Sequence, residues 1–248
     1  MAISRRNIRL TIQYDGTGYA GWQFQKNARS IQEVIEKNLR AITGRKVKLT
    51  GSGRTDAGVH TKGQVANFKT TSRIPLKNIQ KALNSLLPKD IRISEVKYVH
   101  PDFDSQRHAK SKLYRYTIVT ADFVDPFIRK FAVRCKYDLN LALMRREARR
   151  LLGRHDFKSF QSKDDKKGGT IRTIKKLEIK KTGILTHIDI EADGFLYNMA
   201  RNIVGTLIEV GRGKFSEGSV REILSKKDRR YCGPTVPAEG LCLIKVRY

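Results

Sequence analysis

The segment Gly51-Ser52-Gly53-Arg54-Thr55-Asp56-Ala57-Gly58-Val59-His60 concentrates side chains that can do chemistry. A guanidinium and a carboxylate stand two residues apart among three glycines, which permit close approach of a ligand. A carboxylate held against guanidinium groups in partly desolvated surroundings stays ionised, because opposite charge lowers its pKa. Ionised and positioned, Asp56 can attack carbon or accept a proton. The plainer role of an aspartate in such a loop is to form a turn and cap backbone amides, and residue types alone leave both readings open. The loop is not a phosphate-binding P-loop: no Lys-Ser/Thr follows the glycines, and the chain continues into a strand. Metal chemistry has no donor set. The histidines, His60, His100, His108, His155 and His187, show neither HxxxH nor HExxH spacing, and Cys135, Cys232 and Cys242 form no CxxC pair. Neither a metal nor a cofactor is expected, and the cysteines read as reduced thiols.

The surroundings of this loop are strongly basic. The 248 residues include 51 Lys plus Arg against 24 Asp plus Glu, a formal charge of +27. A hydrophobic share of 39%, with ten Phe and nine Tyr, excludes a disordered basic tail. A folded protein of this charge attracts polyanions, nucleic acid before membranes or acidic proteins. No stretch approaches the roughly 18 apolar residues of a membrane span, and MAISRRNIRLTIQYD lacks a secretory hydrophobic region. The expectation is a cytoplasmic protein that does not enter membranes.

The elements that must position the loop follow from periodicity. Ile8, Leu10, Ile12 and Tyr14 alternate with polar residues, predicting a half-buried strand. After a loop with Gly16, Gly18 and Gly21, Ser30 and Glu33 form a capping box that opens a helix ending at Gly44. Val47 and Leu49 predict a short strand, Gln64 to Thr70 a longer one. Pro75 starts a second helix, with Ile79, Leu83, Leu86 and Leu87 inward and Pro88 as its stop, and Ile91 to Val99 is a further strand. The order βαββαβ is the ferredoxin-like signature. The polar segment HPDFDSQRHAKS marks a boundary, giving residues 1–104 and 105–248 as the two halves. In the second half, KLYRYTIVT and the region of Phe131 to Cys135 predict strands, and Asn140 to Leu152 a helix. Strands near Lys175 to Lys180 and Ile184 to Ala192 come next. Helices with Met199, Ile203, Leu207 and Val210 inward and near Glu217 to Ser225 precede a last strand, Leu241 to Val246. This ββαββααβ order is a looser version of the first half, suggesting two pseudo-symmetric sheets with a cleft between them. The arginines Arg145, Arg146, Arg149 and Arg150 are either a solvated helix face or a phosphate-contacting stripe. The polar insert SKDDKKGGTIRT reads as mobile.

GRTDAGVH resembles the signature of the pseudouridine synthases, and YDGTGYAGWQ, QRHAKSKLYRY, FLYNMARNIVGTLIEVGRGK and PAEGLCLIKVRY are similar to further blocks of that family in order and spacing. The resemblance spans essentially the whole chain. It implies an α+β pseudouridine synthase fold, two ferredoxin-like halves forming an extended, mostly antiparallel sheet with a central catalytic cleft. It further implies isomerisation of uridine to pseudouridine at positions 38, 39 and 40 of the tRNA anticodon stem-loop, by a homodimer that consumes no cofactor. Asp56 matches the essential aspartate, which acts on the ribose while the glycosidic bond breaks. Arg54 matches the arginine that holds the target nucleotide out of the stack, a base-flipping task. Tyr114 matches the tyrosine that stacks on the uracil, Arg201 the basic residue that pairs with the aspartate, and Leu241 the apolar residue packed near the base.

By residue type alone, Tyr114 and Leu241 would be core and Arg201 a solvated charge. Thr61, Lys62 and Val236 depart from the family's usual residues. His60 and His108 suit phosphate or structural roles, and Trp22 a buried anchor. Two rivals stand beside the catalytic reading. One is a non-catalytic RNA-binding protein of the same fold, for which an intact Arg54, Asp56 and Tyr114 set would be superfluous. The other is a methyltransferase, whose cofactor turn would have to be GTGYAG, a poor match with no helix directly after it.

Overall fold

Ile8, Leu10 and Ile12 are each fully buried along one face of β1 (Arg6–Tyr14), as their alternation requires. The computed structural model describes residues 5–162 and 169–248; of the insert predicted to be mobile, residues 163–168 lie outside the described residues, while Ile171 to Thr173 belong to a strand. Two compact units result, Met1–Lys110 with Leu243–Tyr248, and Ser111–Cys242. In this division Lys110 ends the first unit, and the last strand returns its final residues to it.

In the first unit, β1 is the central strand, antiparallel to β3 (His60–Thr70) on one side and to β4 (Ile91–Val99) on the other; β2 (Thr50–Gly51) pairs with β3. Helix α1 (Ile31–Thr43) begins where Ser30 Oγ accepts the Glu33 N–H at 3.3 Å, and ends at Gly44 in the left-handed region, φ 69°. Helix α2 (Leu76–Leu86) starts directly after Pro75. Ile31, Ile35 and Leu39 of α1 and Ile79 and Leu83 of α2 share a core with Ile8, Leu10 and Ile12 of β1, Phe68 of β3 and Ile91 of β4. The order βαββαβ stands as expected.

Two details differ. The strand predicted at Val47 and Leu49 forms instead at Thr50–Gly51, because Glu36 of α1 takes the Leu49 N–H at 2.8 Å. Strand β3 begins at His60 rather than Gln64, with a register irregularity against β1 between Ile12 and Tyr14.

The second unit contains β5 (Ser111–Val119), antiparallel to β9 (Leu185–Ala192), then β8 (Ile171–Thr182) and β7 (Gly153–Asp156); β6 (Val133–Arg134) runs parallel to β5. Helices α3 (Leu141–Arg149), α4 (Met199–Gly211) and α5 (Ser219–Lys226) precede β10 (Leu241–Arg247). The unpredicted strand is β7, four residues of GRHD without apolar alternation. Among the described residues the chain is therefore α+β, with five α-helices and mostly antiparallel strand pairing. Among the described residues no helix is long and apolar enough to cross a membrane.

Arg145, Arg146, Arg149 and Arg150 are all exposed, and three of them have partners within the protein. Arg145 Nε donates to the Ile179 carbonyl at 3.0 Å, Arg146 pairs with Glu217 at 3.0 Å, and Arg150 pairs with the fully buried Glu147 at 2.7 Å. Glu147 also accepts the Gly218 and Val220 N–H groups, each at 3.0 Å, fastening α3 to the start of α5. Burial pushes the Glu147 carboxyl up, but these donors outweigh it and hold it below the ordinary glutamate value.

Candidate active site

The loop between β2 and β3 is held by backbone packed on backbone. A Cβ on Gly16 would lie 2.1 Å from the Val59 carbonyl oxygen, and one on Gly21 would lie 2.4 Å from that of Thr55. Gly21 has φ +92°, and its neighbour Trp22 donates its N–H to the Thr55 carbonyl at 3.0 Å. Trp22 is 3% exposed, and its ring fills the space where Gly51 would carry a side chain. It also stacks at 6.4 Å on Tyr14, whose hydroxyl is 2.7 Å from that of Thr55. These glycines therefore admit the chain's own backbone and Trp22. The GTGYAG stretch, considered above as a cofactor turn, is the bed of the loop.

Side-chain bonds close the two ends. Buried Ser52 donates to Gln64 Oε1 at 2.6 Å, and Gln64 Nε2 returns a bond to the Gly53 carbonyl at 2.8 Å. At the other end buried His60 accepts the Gly16 N–H at 3.0 Å through Nδ1, which is 3.3 Å from Asp15 Oδ1. His60 is a structural residue of the loop, as its type allowed. Thr61 Oγ1 donates to the Leu243 carbonyl at 2.8 Å, while Lys62 stays exposed.

The result is a sorting of side chains. Ser52, Thr55, Val59 and His60 are buried, whereas Arg54 is exposed and Asp56 half-buried. A loop fixed at so many points holds its guanidinium and its carboxylate in a set geometry.

Tyr114, Arg201 and Leu241 belong to the second unit. Tyr114 stands opposite Ile190 on β5, is 7% exposed, and meets the Phe195 ring edge-on at 4.9 Å. Lys112, two residues earlier and so on the same face, was not singled out by sequence; burial and the neighbouring Arg172 push its ammonium below the ordinary lysine value.

Arg201, in the first turn of α4, is not merely a solvated charge. Its Nε donates to the Val236 carbonyl at 2.7 Å and its Nη1 to Asn198 Oδ1 at 3.0 Å. The segment carrying Val236 lies hard against α4. A Cβ on Gly205 would be 1.8 Å from the Pro234 carbonyl oxygen, and Thr235 Oγ1 donates to buried Asn202 at 2.6 Å. Leu241, at the start of β10, is buried. Nothing in the sequence pattern announced this support; Gly205 inside an apolar helix is its one visible trace.

A family model described as tRNA pseudouridine synthase matches residues 10–106 and 148–248. The chain belongs to the tRNA pseudouridine synthase family. The matched stretches include Arg54, Asp56, Arg201 and Leu241, while Tyr114 lies between them. Family relatives include tRNA pseudouridine synthase A of Thermoanaerobacter sp. (strain X514), 46% identical over 98% of this chain and 100% of that protein. The protein of the same name from Acetivibrio thermocellus is 44% identical over 98% of this chain and 100% of its own. Among solved structures, an archaeal box H/ACA sRNP Nop10-Cbf5 complex aligns at 12% identity and a TM-score of 0.32, covering 93% of this chain and 58% of that one, too loosely to argue from.

Proposed function

We propose that the chain isomerises uridine to pseudouridine in tRNA, at positions 38, 39 and 40 of the anticodon stem-loop, with Asp56 as the catalytic carboxylate. The observation that carries this reading is the loop itself. Its backbone is locked by Gly16, Gly21, Gly51 and Trp22, while Arg54, exposed, and Asp56, half-buried, are the two side chains in it with chemistry. A loop built only as a turn has no need of that arrangement.

In the reaction the N1–C1′ bond breaks, a C5–C1′ bond forms, and the C5 proton leaves as N1 gains one, so no cofactor is consumed. Asp56 acts on the ribose as the glycosidic bond breaks. Arg54 keeps the target nucleotide out of the helical stack, Tyr114 stacks on the freed uracil, and Leu241 packs beside it. Arg201 pairs with Asp56 and keeps it ionised. Residues 1–104 supply the aspartate loop, and residues 105–248 complete the site and provide the dimer contacts. The enzyme works in the cytoplasm as a homodimer, one tRNA spanning both subunits.

The test is to map pseudouridine in unmodified tRNA transcripts treated with the native protein or with Asp56→Ala. Product confined to the anticodon arm, and absent with the variant, supports the reading; tRNA binding without product by either protein refutes it.

A further inference from the structure

A second basic feature of the first unit lies away from the Asp56 loop. A cleft of about 560 Å³ runs beside the far half of β3, within the size range of ligand pockets. Its cations are Arg5, Lys46, Lys48, Lys69 and Arg107. Lys46 and Lys48 are exposed and alternate with buried Val47 and Leu49, so both stand on the side away from α1. Lys69 is likewise exposed beside buried Phe68. Thr50 pairs with Asn67, and Lys48 and Lys69 each lie two residues from that pair along their own segments. Lysines lining one cleft repel each other, and a polyanion bound among them relieves the repulsion.

Of the three acids lining the cleft, Asp102 is exposed, Asp104 pairs with Arg107 at 3.5 Å, and Glu36 and Asp104 also accept backbone or amide N–H groups. Glu36 accepts the Leu49 N–H at 2.8 Å and Gln32 Nε2 at 2.9 Å. Asp104 accepts the backbone N–H groups of Gln106 and Arg107, each at 2.9 Å. The floor is fixed by buried amides: Asn7 Nδ2 donates to the Phe103 carbonyl at 2.8 Å, and Asn67 joins Asn7 Oδ1 at 3.0 Å to the Ser105 N–H at 2.9 Å. The cleft is therefore preformed, cationic and apolar at its base, where Val47 and Phe68 lie.

Lys69 is nine residues beyond His60 on β3, about 30 Å along the strand from that end of the Asp56 loop at ~3.3 Å per residue, and four beyond Val65, whose carbonyl accepts the Ser52 N–H at the loop's other end. We propose that this cleft holds the sugar–phosphate backbone of the RNA substrate at a point remote from the reacting uridine, a second anchor on the same unit. The inference rests on the tRNA reading above. A stem-loop that only fills the reaction site is too short to use the anchor, whereas a whole tRNA reaches it.

The experiment measures binding of full-length tRNA and of an isolated anticodon stem-loop RNA to native protein and to a Lys46→Ala/Lys48→Ala/Lys69→Ala variant across a salt series. Loss of three phosphate contacts lowers the slope of log Kd against log salt by up to ~2.7 for the whole tRNA. Between about 50 and 200 mM salt the native Kd then rises up to ~40-fold more than that of the variant. Stem-loop affinity is the same for both proteins, and a triple Lys→Arg variant restores the native tRNA slope. Equal slopes for tRNA overturn the proposal, and so does equal weakening of both RNAs. Failure of the pseudouridine reading looks different: native protein binds both RNAs but forms no product.

Discussion

Replacing Gly21 by Ala isolates the packing that shapes the Asp56 loop. The new Cβ meets the Thr55 carbonyl oxygen at 2.4 Å and the Asp56 carbonyl carbon at 3.0 Å, in a residue held at φ +92°. The positive φ costs about 1–2 kcal/mol for a residue with a side chain, and the overlap with backbone about 1–3 kcal/mol more. The sum is roughly 2–5 kcal/mol, equivalent to a melting temperature lower by about 5–15 °C for a chain of this size. The overlap is relieved only if residues 55 and 56 move, and a displacement of about 1 Å at a reacting group costs ~100-fold in rate. Gly18 provides the internal control, since a Cβ there meets nothing within 4 Å. Gly18→Ala should match or slightly exceed native stability, by up to about 1 kcal/mol. Thermal melting and single-turnover pseudouridine formation read both variants. A Gly21→Ala protein that melts and reacts like the native one, or a Gly18→Ala protein equally impaired, refutes the claim that these glycines template the loop.

Glu147→Gln should destabilise by about 2–3 kcal/mol near neutral pH, because the buried carboxylate accepts from two backbone N–H groups and Arg150. Its folded value is depressed, so its stabilisation is present above the unfolded value of about 4.3 and is lost as pH falls through the lower folded value. Denaturant titrations across pH should thus give the variant a shallower acid limb; parallel limbs would show that Glu147 is not ionised in the fold. Tyr14→Phe removes the 2.7 Å bond to Thr55, which should cost about 1 kcal/mol and slow the single-turnover rate while leaving the tRNA Kd unchanged. A change in Kd alone would argue that Tyr14 supports the RNA surface, not the loop.

Much of the first unit was legible because its segments obey a single period. Ile8 to Tyr14 alternate, Ser30 and Gly44 bracket α1, and each falls where expected. Where a side chain from another element competes for a backbone group, sequence is silent: the alternation of Val47 and Leu49 is real, but Glu36 withdraws the Leu49 N–H from the sheet. Strand β7 has no alternation and exists through pairing with β8. Arg54 and Asp56 stood out by type and spacing. Their support did not, since Gly16, Gly21 and Trp22 lie some thirty or more residues earlier and act through close backbone approach. Arg201 was visible as a charge on an apolar helix, but the Val236 carbonyl that receives it could not be inferred from periodicity.

The central claim is that the Asp56 carboxylate performs the chemistry on a uridine of tRNA. Asp56→Asn keeps the shape of the side chain and removes its charge, so single-turnover product formation and tRNA Kd measured on the same preparation separate chemistry from binding. The account predicts a rate lower by at least ~1,000-fold with Kd within a few-fold of native. Pseudouridine formed at the native rate by this variant would contradict it, as would a loss of product explained entirely by weaker binding.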